Sequence, residues 1–339
     1  MNNLLLHAEN LKGLSYLLNE RGLRGKIDLV YIDPPFATNG TFTVSEGRAS
    51  TISAVKGGTV AYTDVLKGKA FVEFLRERLI LLRELLSERG SLYLHTDYKI
   101  GHYLKVMMDE VFGIENFRND ITRIKCNPKN FKRIGFGNVK DMILFYSKGS
   151  NPIWHEPYEA YSGEDIERLF PKQDADGRRY TTVPIHAPGE TNAPKPFRGL
   201  FPPKGRHWRT DVDALEAWDT QGLIEWSATG NPRKKIYADE KVGKRMQDIW
   251  EAYKDPMYPV YPTEKNAQLL DRIIETSSNP SSIVLDCFCG SGTTLAAAAR
   301  AGRTWIGIDQ SDIALKAAIK KLHLCEESLL SETPEQIAL

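Results

Sequence analysis

Ile27-Asp28-Leu29-Val30-Tyr31-Ile32 runs straight into Asp33-Pro34-Pro35-Phe36, and this junction decides how the chain is read. The first six residues, mostly apolar, read as a buried strand. Two prolines then end the strand and stiffen the turn. An acid and an aromatic are thereby held at a strand's carboxyl end, where open α/β sheets bind ligands. A plain strand-ending turn accounts for Asp33 and its prolines about equally well, since both residue types favour turns. The surrounding pattern has to separate the two readings.

Outward from the junction, Leu4-Leu5-Leu6-His7 is a strand candidate and Ala8-Glu9-Asn10 a turn. Leu11 to Arg21 has Leu11, Leu14, Leu17 and Leu18 at helical spacing. Strand, helix, strand predicts a parallel sheet with right-handed crossovers. Residues 37–69, rich in Gly, Ser and Thr, read as a long mobile loop placed to cover a substrate. Phe71, Phe74, Leu75, Arg78, Leu79, Leu82, Leu85 and Leu86 trace one face of a helix expected to end at Gly90. Ser91 to His95 then reads as a strand, Tyr98 to Phe112 as a helix ending near Gly113, and Phe117 to Cys126 and Asp141 to Tyr146 as strands.

Beyond residue 150 periodicity fades among scattered Pro, Gly and Trp, so 151–255 is expected to be a separate, irregular module. Trp208, Trp218, Trp226 and Trp250 read as core. Regular pattern returns in 256–339: helix over Thr263 to Ser277, strand over Ile283 to Asp286, helix over Thr294 to Ala301, strand over Thr304 to Asp309, helix over Ile313 to Cys325. The whole predicts a doubly wound, mostly parallel α/β fold interrupted by an insertion.

Composition bounds the function. With 41% hydrophobic and 26% charged residues the 339-residue chain has a globular balance. No apolar run approaches the roughly 18 residues that span a bilayer, and Met1-Asn2-Asn3-Leu4 does not resemble a secretory signal, so a cytoplasmic protein is expected. Cys126, Cys287, Cys289 and Cys325 lack zinc-ligand spacing, and no metal is expected. Net charge is only +1, so nucleic-acid binding must rest on local clusters. Residues 117–148 carry eight positive and two negative side chains, a local +6, among them Lys125, Lys129, Lys132 and Arg133. Lys204, Arg206 and Arg209, and Arg233, Lys234 and Lys235, add two clusters within the irregular module. Their coincidence with that module points to phosphate binding.

A second stretch, Val284-Leu285-Asp286-Cys287-Phe288-Cys289-Gly290-Ser291-Gly292-Thr293-Thr294, reads as strand, glycine turn and helix start. A phosphate-binding loop would want Lys after Gly292, and a dinucleotide site a small residue where Leu295 stands. S-adenosylmethionine carries no phosphate and needs neither. Asp309, ending the next strand, suits both ribose hydroxyls of a nucleoside, which NAD and S-adenosylmethionine share. A structural glycine turn is the remaining alternative.

Asp-x-Phe-x-Gly-Ser-Gly-Thr-Thr resembles the cofactor motif of amino-group DNA methyltransferases, and Asp-Pro-Pro-Phe resembles their catalytic motif. The catalytic motif comes first here, which resembles the circularly permuted beta class. Ala8-Glu9-Asn10-Leu11, Gly90 to Asp97 and Tyr261-Pro262-Thr263-Glu264-Lys265 resemble further motifs of that family. Three positions depart from its pattern: Glu9 stands for Asp, Phe36 for the commoner Tyr, and Asn266 where Pro is common.

The resemblance implies a catalytic half in 1–150, a target-recognition region in 151–255 and a cofactor-binding half in 256–339. It implies S-adenosylmethionine on Glu9, Asn10, Asp33, Thr263, Lys265, Asp286, Phe288, Gly290, Ser291, Gly292, Thr293, Thr294 and Asp309. Asp33, Pro34, Pro35 and Phe36 become catalytic, with double-stranded DNA as substrate and a homodimer and a cognate restriction endonuclease as implied partners. Asp33 tilts the target toward adenine N6 over cytosine N4, where Ser is commoner in the family.

Overall fold

Eight strands build the central sheet: β1 Leu4–His7, β2 Ile27–Ile32, β3 Leu86–Thr96, β4 Phe117–Ile124, β5 Lys140–Ser147, β6 Ile249–Trp250, β7 Ile283–Asp286 and β8 Thr304–Asp309. The structure is a computed structural model and describes residues 2–34, 41–45, 48–50, 59–63, 68–128, 132, 134–191, 193–255 and 265–323. Across the sheet the order is β1-β8-β7-β2-β3-β5-β4-β6. The five strands from β1 to β3 run parallel. β5 is antiparallel to both β3 and β4, and β6 lies parallel to β4.

The parallel strands are apolar along their whole length because both faces are covered. Val30 and Ile32 join Leu14, Leu75, Leu79 and Leu104 in one core, while Leu29 and Tyr31, pointing the other way, are buried as well. Helix α1 (Asn10–Asn19) and α3 (Gly101–Phe112) flank α2 (Gly68–Leu85), and α4 (Ala267–Ser277) and α6 (Asp312–Leu322) flank α5 (Thr293–Arg300). From β7 the chain proceeds to β8 on one side, and from β2 to β3 on the other. The switch point of the sheet therefore lies between β7 and β2, paired Val284 to Leu29 and Leu285 to Val30.

Two expectations are corrected here. The helix expected to end at Gly90 stops at Leu85, and Gly90 lies inside β3 with no left-handed backbone. A Cβ at that position would meet the Ile27 carbonyl oxygen at 2.8 Å, so glycine permits close strand approach and caps no helix. Gly113 does end α3 in the left-handed region, at φ 90. Within residues 37–69, Thr41–Ser45, Arg48–Ser50 and Thr59–Thr63 form a small antiparallel sheet, where a loop was expected.

The chain divides into two compact units, 1–157 with 247–339, and 158–246. Residues 151–157 and 247–255 pack with the first: Ile153 N–H donates to Arg89 O at 2.9 Å, and β6 pairs with β4. The second unit is more regular than its sequence suggests. Lys172–Gln173, Arg179–Pro184, Pro232–Tyr237 and Ile224–Trp226 form a four-stranded antiparallel sheet. Ser162 and Asp165 close a capping box on helix Gly163–Leu169, and Asp211 caps helix Val212–Thr220. Ile185, Phe197, Leu215 and Ile224 make its core, with Trp208 and Trp218 packed against it. Trp226 stacks on Phe197 but keeps 38% exposure; Trp250 is buried in the first unit.

Gly90→Ala is expected to lower the urea midpoint by the equivalent of about 1–3 kcal/mol, because strand β2 must move aside. An unchanged midpoint would show that the Ile27 carbonyl is not a barrier.

Candidate active site

Asp286 ends β7 fully enclosed and organises the glycine turn beyond it. Its Oδ1 accepts from Phe288 N–H at 3.0 Å and its Oδ2 from Thr294 Oγ1 at 2.6 Å, so one carboxylate fastens both ends of the turn. Gly290 and Gly292 adopt φ of 50 and 75, and a Cβ on Gly292 would meet Ala318 of α6 at 3.0 Å. Asp309 ends β8 and accepts from Gly290 N–H and Ser311 N–H, both at 2.9 Å. Lys321 Nζ donates to Ser291 Oγ at 3.1 Å and Thr293 Oγ1 at 2.9 Å.

Burial raises the Asp286 pKa to about 7, against the Thr294 and Phe288 hydrogen bonds and with help from the charges of Asp33 and Asp309. Burial also raises Asp309. Acids gathered around a glycine turn favour a cationic ligand and disfavour phosphate.

Glu9 caps α1, accepting from Lys12 N–H at 3.2 Å. Arg78, buried on α2, donates to Glu9 Oε1 and Asn10 Oδ1, and its guanidinium lies 3.4 Å from the Phe74 ring centroid. Phe74 in turn packs on Phe288 of the glycine turn. Sequence reading placed Arg78 on the α2 face without giving it a role. An arginine among leucines on an apolar helix face was the available signal.

Asp33 follows β2 on the strand beside Asp286. Its Oδ2 lies 2.8 Å from Lys265 Nζ. Its Oδ1 is buried and has no hydrogen-bond partner among the described residues. Pro34 is buried beside it, and Pro35, Phe36 and Thr263 lie outside the described residues. Tyr31 Oη and His95 Nδ1 are 2.8 Å apart, and His95 Nε2 and Asp141 Oδ2 3.3 Å. Burial and the charge of Lys265 lower the His95 pKa. Burial opposes ionisation of Asp141, yet the His95 hydrogen bond and the Lys265 and Lys125 charges hold it well below the carboxylate range. Asp97 accepts from Lys99 N–H at 2.9 Å and Ile100 N–H at 3.3 Å ahead of α3, a structural role.

The basic residues divide. Arg123, counted in the +6, is fully buried, bonds Tyr253 O at 2.8 Å and pairs with Asp255; it belongs to the core. Lys125 Nζ is 2.6 Å from Asp141 Oδ1. Lys132 is exposed, and Lys129 and Arg133 lie outside the described residues. In the second unit Arg206 Nη1 lies 3.2 Å from His186 Nδ1, Arg209 Nε donates to His186 O at 3.2 Å and Arg233 Nη2 donates to Thr182 O at 2.8 Å. Burial and then these arginines' charges lower the His186 pKa. Lys234 Nζ sits 3.3 Å from the Trp218 ring centroid, Lys235 pairs with Asp174 at 3.0 Å, and Lys204 is exposed.

Comparison with known proteins follows the same lines. Residues 27–320 match the DNA methylase family of N6 and N4 methyltransferases. The type II methyltransferase M.EcaI of Enterobacter cloacae is 39% identical over 326 residues, covering 94% of this chain and 69% of that protein. The Mod subunit of the type III restriction-modification enzyme StyLTI of Salmonella typhimurium is 26% identical, and the match spans 86% of this chain but 49% of that protein. In fold, the crystal structure of M1.HpyAVI aligns with a TM-score of 0.50 at 16% identity, over 95% of this chain and 99% of that one.

Thr294→Val removes one donor from buried Asp286 and is expected to cost about 1–3 kcal/mol. Protonated Asp286 predominates below about 7 and the ionised form above it, and the ionised form depends more on the lost donor. Denaturation at pH 6 and pH 8 should therefore show the larger loss at pH 8; equal losses would contradict the assignment.

Proposed function

The chain belongs to the DNA methylase family of N6 and N4 methyltransferases, and from that premise we propose that it methylates the exocyclic amino group of a base in duplex DNA, adenine N6 by preference, using S-adenosylmethionine. The observation that carries this reading is Asp33 Oδ1, a buried acceptor at a strand end with no hydrogen-bond partner among the described residues. The bound cofactor supplies an electrophilic methyl group.

The residues present suit such a molecule. Asp309 ends β8 as an acceptor for a ribose diol, and Glu9 and Asn10, held by Arg78, stand for the adenine side. Asp286 and the turn Phe288, Gly290, Ser291, Gly292, Thr293 and Thr294 give acidic, closely approachable surroundings for a sulfonium and an ammonium.

An exocyclic amino nitrogen is a weak nucleophile because its lone pair is spread into the ring. Asp33 Oδ1 and the Pro34 carbonyl are two acceptors for its two N–H bonds, and together they would concentrate the lone pair on nitrogen. Neither Pro34 nor Pro35 adds a backbone N–H that would compete for those acceptors. Phe36 offers a stacking face, worth about 1–3 kcal/mol per base. Alignment toward the methyl group contributes through proximity. The base has to leave the helix stack to reach this turn, and residues 37–69 are the segment we assign to covering it.

We assign 158–246 to target recognition, on the strength of Arg206 and Arg209, both in contact with His186, and of Arg233. Lys125, Lys129, Lys132, Arg133, Lys204, Lys234 and Lys235 complete the proposed phosphate-binding set. No helix among the described residues is long and apolar enough to cross a membrane. We place the enzyme in the cytoplasm at the nucleoid, acting as a homodimer and alongside a restriction endonuclease.

Labelled methyl transfer to duplex DNA, followed by nucleoside analysis, should yield N6-methyladenine. N4-methylcytosine would move the target to the second reading, and no label in either base would refute the activity. Asp33→Ala should reduce transfer by at least about 1000-fold while cofactor affinity persists; retained activity would remove Asp33 from the mechanism.

A further inference from the structure

We propose that Lys265 is the positioning residue of the acceptor clamp: its ammonium takes Asp33 Oδ2 and leaves Oδ1 as the oxygen that meets the target amino group. The proposal rests on the methyl-transfer reading and deepens it. Sequence resemblance grouped Lys265 with the cofactor residues; the geometry gives it a different partner. Nζ and Oδ2 are 2.8 Å apart, with side-chain exposures of only 10% and 16%.

A carboxylate has two equivalent oxygens and turns freely about its terminal torsion. With neither oxygen held, either one, or an adjacent donor, would define its orientation. An ammonium on Oδ2 breaks that symmetry: it fixes the carboxylate plane and aims Oδ1 in a single direction. Oδ1 is the oxygen that is buried and unpartnered among the described residues. Asn266 steadies the lysine's backbone, because its Oδ1 accepts from Gln268 N–H and its Nδ2 donates to Lys254 O, both at 2.8 Å.

Charge balance supports the same role. The fields of Asp33 and Asp309 both act on Asp286, so carboxylates crowd this end of the sheet. The Lys265 charge also acts on His95 and Asp141 of strands β3 and β5. Lys265 thus sets a cation directly against Asp33 where the carboxylates crowd.

The test compares Lys265→Met and Lys265→Arg in the full chain. Lys265→Met should lower kcat roughly 100-fold, the scale seen when one preorganised group is lost, with cofactor Kd by calorimetry nearly unchanged. Lys265→Arg, which keeps the charge, should recover part of kcat. Urea melts of Asp33→Asn, Lys265→Met and the double variant, without cofactor, should be non-additive, since the two groups interact. Lys265→Gln substitutes in the cycle if the methionine variant does not fold. A cofactor Kd weakened by about tenfold or more with kcat retained would return Lys265 to the cofactor site and overturn the proposal, as would additive melts. A wild-type enzyme that methylates neither base would sink the activity reading instead, and the melts would still decide the pair.

Discussion

Two parallel strands from opposite ends of the chain, β7 and β2, hydrogen-bond at the middle of one sheet, and everything at the site depends on that pairing. Leu285 stands beside Val30, so the strand ending in Asp286 and the strand leading to Asp33 finish at the same edge. A glycine turn grows from one, and Asp33 and Pro34 follow the other. The first takes the positive φ that only glycine readily supplies at Gly290 and Gly292; in the second the Pro34 ring fixes φ. A flexible-residue cradle beside a rigid acceptor suits a reaction between a bound donor and a weak nucleophile.

The cost of this arrangement is electrostatic. Asp33, Asp286 and Asp309 converge where burial already disfavours charge, and Asp286 responds with a pKa near 7. Two basic residues offset the crowding: buried Arg78 on the Glu9–Asn10 side and part-buried Lys265 on the Asp33 side. Backbone donors do the rest, with Phe288, Gly290 and Ser311 N–H groups turned onto carboxylate oxygens. Hydrogen bonds from fixed peptide groups stabilise charge without side-chain entropy, which suits a site that must be ready before its ligands arrive.

Much of this was legible from residue order, and the failures have physical causes. β2, β7 and β8 have the bounds their apolar runs predict, because a strand buried on both faces has little polar interruption to blur its ends. Gly90 misled because a helix-ending glycine and a glycine admitting a neighbouring carbonyl look identical in sequence. The strands of 158–246 escaped notice because they are short and carry arginine and lysine at positions that only pairing explains, as in Pro232–Tyr237. Arg123 counted as a surface cation until Asp141 and Asp255 were found around it. Contacts such as Arg78 with Glu9, or Lys265 with Asp33, join residues far apart in the chain and follow no spacing rule.

The central claim is that the β2 and β7 ends hold acceptor and donor for one reaction, with Asp33 Oδ1 at the nucleophile. A crystal structure with duplex DNA and a non-reactive S-adenosylmethionine analogue measures this directly. The account predicts the target amino nitrogen within about 3 Å of Asp33 Oδ1, with the analogue on the Asp286–Asp309 side and Lys265 still on Oδ2. An amino group bonded elsewhere, or an analogue seated away from the glycine turn, would contradict it.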